Sequence, residues 1–540
     1  MNPGKLIPSG APLVLSLLVA GCGSDDAGSR PADMSAGGGR DQAAQPDLSG
    51  AHPDLSGSGN PDLIGGLVHV SQHHNNPSRD GVFIEPAFKG NAPRALTRDA
   101  SFDGTITGHV YAQPLYVEGG PAGRAVVITV TEGNDVYALD ARDGTVAWQR
   151  NVAPAVPLSR LPCGNIDPLG ITGTPVVDVG RRRLFLDAMT TPDGGATKQH
   201  KVFALDVDTG ADAAGWPAVD VGAVAAFNQL TFDSQVQNER GALALVGGTV
   251  YVPFGGHYGD CGNYHGWLLG VSADNPAAPL SWATRARAGG AWAVGGVSSD
   301  GESLFIATGN TFGANTWQDG EAIFKFAAGP VLPAGAGNYW APANWKALDN
   351  GDVDLGGSGA LIVDVPGATP SALVVALGKD GYAYLLDRGN LGGIGAEVAR
   401  KQVSTGEIIQ AAATYRTTTA SYVVFRGAGL GCNNGPGDLT AFTISAESPP
   451  RIQVAWCASE NGQGSPWVTT SDGQRDVVVW GLGAEGDQRL HGFNGDTGDI
   501  VYAGGGNSEK MAGIRRFNAG IAARGRMFVA ADNRVYAFKP

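Results

Sequence analysis

The sequence predicts an all-β fold: an eight-bladed β-propeller of four-stranded antiparallel blades, its last blade closed by a strand from the N-terminal side. Three observations carry this. Val136-Tyr137-Ala138-Leu139-Asp140, a turn at Asp143-Gly144 and a return strand ending on Trp148 form one strand–turn–strand unit. Looser copies recur at 202–206 with Asp208-Thr209-Gly210, at 384–387 with Gly389-Asn390, and at 491–494 with Asp496-Thr497-Gly498, a repeat of the length of propeller blades. Glycine supplies 83 of the 540 residues, as a chain of many tight turns requires.

The elements follow in chain order. Lys5 precedes an apolar run, 11–20, too short to span a bilayer and suited to a signal-peptide core. It ends in Val19-Ala20-Gly21-Cys22, which resembles a bacterial lipoprotein signal; that resemblance implies removal of 1–21 and lipid attachment at Cys22. Residues 22–65 are rich in Gly, Ser, Ala, Asp and Pro, with Pro-Asp-Leu repeated at 46–48, 53–55 and 61–63. They cannot bury enough apolar surface to offset chain entropy and are expected to form a disordered tether. The propeller is expected over 66–540.

Paired apolar runs of β-rich composition, bounded by Gly, Asp and Asn, mark strands b and c of each blade. They are 126–130 and 135–140, 184–187 and 201–207, 249–254 and 267–271, 303–308 and 322–326, 372–377 and 382–387, 421–425 and 438–444, 476–480 and 489–493, and 526–530 and 534–538. The eighth blade runs out after strand c, and 102–109 is expected to supply its outer strand, removing an open edge.

In a propeller the b–c loops and d–a connections share one face. That face collects the long loops 189–200, 255–266, 309–321 and 426–437, and the four cysteines that remain beside Cys22. In an exported chain an even number predicts two disulfides: Cys432 with Cys457, placed just after strand d of the sixth blade, and Cys163 with Cys261. No Cys-x-x-Cys or paired-His motif proposes zinc. The net charge of −14 offers no footprint for nucleic acid and repels an anionic membrane surface, so membrane contact is expected through the lipid alone.

The richest loop reads His257-Tyr258-Gly259-Asp260-Cys261-Gly262-Asn263-Tyr264-His265. It offers an imidazole base, His257 or His265, with Asp260 to orient it. The alternative, preferred for a long b–c loop, is that these groups hydrogen-bond neighbouring loops. Lys379-Asp380 sits in a hairpin turn of the kind Asp-Gly favours. His73-His74-Asn75-Asn76 is expected to pack on the propeller in preference to binding a metal. Trp292, Trp317, Trp467 and Trp480 are expected in inter-blade packing more than on a stacking face. Asp140, Asp206 and Asp387 are expected to accept turn hydrogen bonds.

Ala138 to Trp148, Ala-Leu-Asp-x-x-x-Gly-x-x-x-Trp, resembles the tryptophan-docking repeat of the quinoprotein family, whose repeats form eight blades and some of whose members bind pyrroloquinoline quinone (PQQ). Gln113-Pro114-Leu115-Tyr116-Val117, Gly170-Ile171-Thr172-Gly173-Thr174-Pro175, Tyr264-His265-Gly266-Trp267, Ala307-Thr308-Gly309-Asn310 and Gly378-Lys379-Asp380-Gly381 resemble an exported subgroup of such repeat proteins. The departures are clear. PQQ alcohol dehydrogenases carry adjacent bridged cysteines, absent here, and a Glu, Asn and Asp set for calcium that maps onto no motif of this chain. Only Trp148 occupies the docking position cleanly; Trp216 is displaced and the other blades lack it. The expectation is a lipid-anchored cell-envelope propeller, at the outer membrane or cell surface, that binds or scaffolds through its loop-rich face without a cofactor. The alternative implied by the resemblance is a PQQ- and calcium-dependent dehydrogenase of an alcohol or sugar.

Overall fold

The computed structural model describes residues 66–432 and 435–540; Cys22, the signal segment and the tether lie outside them. All eight expected b–c pairs form, and the sheets are arranged as eight blades in a ring. Blade 1 runs outward through strands a to d as Leu115–Val117, Val126–Val130, Asp135–Asp140 and Val146–Asn151. The innermost strands of the other blades are Val176–Asp178, Ala244–Val246, Ser298–Ser299, Ala360–Asp364, Ala413–Arg416, Trp467–Thr470 and Ile521–Ala523. Apolar side chains on facing sheets interdigitate between neighbouring blades, as Val176, Val202 and Phe185 of blade 2 do with Val250, Val252 and Trp267 of blade 3.

The closing strand differs from expectation in its bounds. Thr97–Arg98 pairs with Arg534–Lys539, with Thr97 opposite Lys539. Of the expected 102–109, Thr105 forms a single bridge to Arg534, and Gly104 and Ile106 add backbone bonds to Val535 and Asn533. The strand is thus broken by a bend at 100–103. There Ser101 folds back onto Asp99 Oδ1, and Asp103 N–H turns away to Asp143 O.

Tryptophan docking is more widespread than its spacing suggests. Trp148 donates from Nε1 to Val207 O at 2.8 Å and lies over Gly210. Trp456, in strand d of blade 6 (Ile452–Ala458), donates to Gly495 O at 2.9 Å and lies over Gly498 in the same way. Trp216 reaches Ser272 O at 3.0 Å. Each indole joins one blade to a turn or strand end of the next, and loop insertions shift its place in the sequence. Cys457 also lies within that strand d, not after it. Both expected disulfides are present, Cys163–Cys261 and Cys432–Cys457, with Cα separations of 6.1 and 5.7 Å.

The axis is plugged from the a–b face. His69–Val70 rises antiparallel to the innermost strand of blade 1, and Val82–Ile84 descends parallel to that of blade 7. Between them the chain curls tightly, with His74, Asn75 and Arg79 at φ of 52°, 71° and 63°. Its carbonyls accept from the innermost strands or their starts: Ser71 from Val177, Pro77 from Ser299, Asp80 from Thr414 and Gly81 from Val468. Arg79, buried, donates to Leu243 O (2.8 Å), Val297 O (3.0 Å), His73 O (2.8 Å) and Gln72 Oε1 (3.4 Å). His73 and His74 are buried and stacked at 4.2 Å. The segment therefore packs on the propeller as expected, but inside it.

Candidate functional site at the axial mouth

With one end plugged, the other end of the axis faces the loop-rich side, where the d–a connections lead into the innermost strands. Asn238-Glu239-Arg240-Gly241 is one such connection, entering blade 3. Arg240 is half-buried, and burial lowers its pKa. It lies in the electrostatic field of Tyr111, Glu132, Arg516 and Asp260, which come from the entry to blade 1, the b–c loop of blade 1, the entry to blade 8 and the b–c loop of blade 3. Convergence from such separate blades puts it at the ring's centre.

Its acidic neighbours Glu132 and Glu239 are each held through one oxygen, the other being buried without a partner among the described residues. Glu132 Oε2 accepts from Gly170 N–H at 2.8 Å and Glu239 Oε2 from Gly173 N–H at 3.0 Å, so two carboxyls grip the ends of Gly170-Ile171-Thr172-Gly173. Gly173 must lack a side chain because a Cβ there would run into the Glu239 carboxyl. Burial pushes Glu132 up to about 7. Burial, reinforced by the nearby Asp187 carboxylate, pushes Glu239 well above the ordinary range. Asp187 is itself bonded to buried His200, at 2.6 Å to Nδ1.

The loop singled out by the sequence borders this mouth, but its imidazoles and carboxylate do not pair. His257 is buried, bonds Gln235 O through Nε2 at 3.1 Å, and is lowered by burial to about 4. His265 is buried and bonds Thr284 O through Nδ1 at 2.9 Å; burial lowers its pKa as well. Asp260 Oδ1 instead accepts from Tyr264 O–H at 2.7 Å. Burial, then Asp260, pushes that phenol far up. The expected base and orienting carboxylate are thus separate, and both imidazoles bond main-chain carbonyls. Asn263 is exposed, and Tyr258 projects with 65% of its surface open. Between the 158–169 loop and this one, fastened by Cys163–Cys261, lies a recess of about 10 Å³ lined by Leu161, Asn165, Asn238, His257 and Tyr258. It has room for about one water.

Across the mouth, half-buried Trp292 carries the Lys379 ammonium 5.8 Å from its ring centroid. Burial opposes the charge on Lys379, but the Asp354 carboxylate, at 2.5 Å, outweighs it and holds the pKa above the usual lysine value. Asp354 Oδ1 also accepts from Asn310 N–H at 2.8 Å. Asp380 turns the other way, onto Tyr384 O–H and Tyr382 N–H. Of the other tryptophans, Trp467 and Trp480 are core, and Trp317 stacks on Tyr339 at 4.5 Å. Asp140, Asp206 and Asp387 accept turn N–H groups from Arg142, Asp208 and Gly389 as expected.

These donors do not make a calcium site, which needs six to eight oxygens. Asp354 is spent on Lys379 and Asn310 N–H, and Glu321 gives one oxygen to Leu355 N–H and keeps the other buried without a partner among the described residues. Among the described residues no three His, Cys, Asp or Glu side chains are grouped to hold a metal. Trp292 presents an aromatic face with the Lys379 ammonium beside it, a pair that can meet a flat ring carrying an anionic group.

Sequence reasoning passed over Arg240, Glu132 and Glu239. The segment that Glu132 and Glu239 grip, Gly170–Pro175, carried a signal through its family resemblance.

No family model and no curated protein sequence matches the chain. Among solved structures it is similar to a quinohemoprotein alcohol dehydrogenase from Pseudomonas putida, with a TM-score of 0.58, 14% identity, and coverage of 87% of this chain and 80% of that one. The enzyme of the same description from Comamonas testosteroni gives a TM-score of 0.57 at 15% identity, over 87% of this chain and 80% of its own. A europium-containing methanol dehydrogenase gives 0.56 at 12% identity, over 87% and 98%. At such identities the likeness is one of fold: the chain shares an eight-bladed propeller fold with these dehydrogenases.

Proposed function

We propose that this chain is an exported binding module that takes a ligand at the axial mouth of its loop-rich face and does not turn it over. The observation that carries the reading is Arg240, a guanidinium at the convergence of several blades with no hydrogen bond or ion pair to any described residue. A half-buried charge left unpaired costs free energy, and a ligand offsets that cost. His257 and His265 are committed to carbonyls, so neither is poised as a base. The plug makes the axis blind, so access is from one side. Two disulfides fit an oxidising compartment outside the cytoplasm. Attachment through a lipid on Cys22, at the outer membrane or cell surface, belongs to the same proposal.

A second reading, a PQQ-dependent dehydrogenase of an alcohol or sugar, is favoured by the Trp292–Lys379 stack. Against it, Asp354 is bound to Lys379, and no three acidic or imidazole side chains group to hold calcium among the described residues. Dye reduction in the presence of PQQ and calcium, across a panel of alcohols and sugars, separates the two. Turnover would overturn the binding-module reading; its absence from folded protein supports it.

A further inference from the structure

We infer that the ligand of the axial mouth is a small oxyanion, bearing a carboxylate or a phosphate, seated on the Arg240 guanidinium. This rests on reading the mouth as a ligand site, and it adds the chemistry that site selects.

Arginine carries five N–H donors in a planar fork, matched to the paired oxygens of a carboxylate or phosphate. Every other arginine that borders the mouth has found acceptors. Arg515 chelates Asp532, with contacts of 2.6 to 3.1 Å, and Arg516 holds Glu485 at 2.7 Å. Arg285 holds Asp319 at 2.7 Å, and Arg287 donates to Gly262 O and Asp260 O. Arg240 alone among them donates to nothing. Its carboxyl neighbours do not bond it: Glu132 and Glu239 each give one oxygen to a backbone N–H group and keep Oε1 buried without a partner among the described residues, and Asp260 is held by Tyr264. The hydroxyls of Tyr111 and Tyr258, the first felt directly by Arg240 and both by Arg516, have no protein partner. A guanidinium and two phenols bring to the mouth donors with no acceptor among the described residues, which is the need an oxyanion meets. The recess alongside is too small for a bulky group, so the anion is held at the open mouth.

The test uses the full chain, wild type and Arg240→Gln, with inorganic phosphate and with citrate as separate probes at matched ionic strength in chloride. One probe or both should raise the wild-type melting temperature saturably, and calorimetry should show binding about tenfold to a hundredfold weaker in Arg240→Gln, the loss of a charged hydrogen-bonded contact. Which probe is bound more tightly tells a carboxylate ligand from a phosphate one. Without probe, Arg240→Gln should melt no lower than wild type, because no native bond is lost. A drop in that unliganded melting temperature would make Arg240 a structural cation and overturn the inference. So would no response to either probe, or equal binding by both proteins. If neutral sugars bind both proteins equally while the anions do not, the binding-module reading stands and the oxyanion assignment falls.

Discussion

At the residue scale, the site is defined by which groups lack partners and which are over-committed. Glu132 is the clearest titrating member. Its folded-state pKa, about 7, lies above the ordinary 4.5 because it is buried. The folded protein therefore holds a proton that the unfolded chain releases, and stability from this group is full below pH 4.5 and is lost as pH rises through about 7. The shift corresponds to roughly 3 kcal/mol. Glu132→Gln should flatten the decline in unfolding free energy between pH 5 and pH 8, as read by denaturant titration at both values. None of this was legible in the sequence, where Glu132-Gly133-Asn134-Asp135 reads as a hairpin turn. Arg240 was equally silent: its distinction is an absent partner, a property of tertiary placement. His257, Asp260 and His265 drew notice by composition, yet local geometry turns each toward its own loop or a carbonyl.

At the scale of elements, alternating apolar runs gave the b–c pairs correctly because those strands are flanked on both faces by neighbouring blades. Strands d and the connections were harder, since edge strands such as Ala399–Gln402 are largely exposed and carry little apolar signal. The docking tryptophans show the same limit. Trp456 stands where the repeat pattern is stretched, but its indole makes the same bond to the next blade as Trp148. Trp456→Ala should cost about 3–5 kcal/mol by chemical denaturation, through a cavity between blades 6 and 7; the Gly495 carbonyl keeps the Tyr415 hydroxyl as donor. A cost below 1 kcal/mol would mean that the seam repacks without the indole.

At the scale of the whole molecule, the N-terminal part of the described chain does two jobs: it plugs the axis and then closes the ring at Thr97–Arg98. The sequence indicated closure because strand c of blade 8 lacked a partner, but the plug is polar and aperiodic and gave no such sign. Two arginines near the axis make opposite predictions. Arg79 satisfies the carbonyls of Leu243, Val297 and His73, and burial lowers its pKa to about 9. Arg79→Met strands those carbonyls at about 1–3 kcal/mol each and should sharply lower the melting temperature. Arg240→Gln should not. The exposed mouth above the plug is where a ligand meets the molecule, and whether it binds without turnover is the central claim. The most direct measurement is a calorimetric titration with PQQ, with and without calcium, coupled to dye reduction. The account predicts that any binding is indifferent to calcium, weakened by Arg240→Gln and silent in the dye assay; calcium-dependent one-to-one binding with turnover of an alcohol or sugar would contradict it.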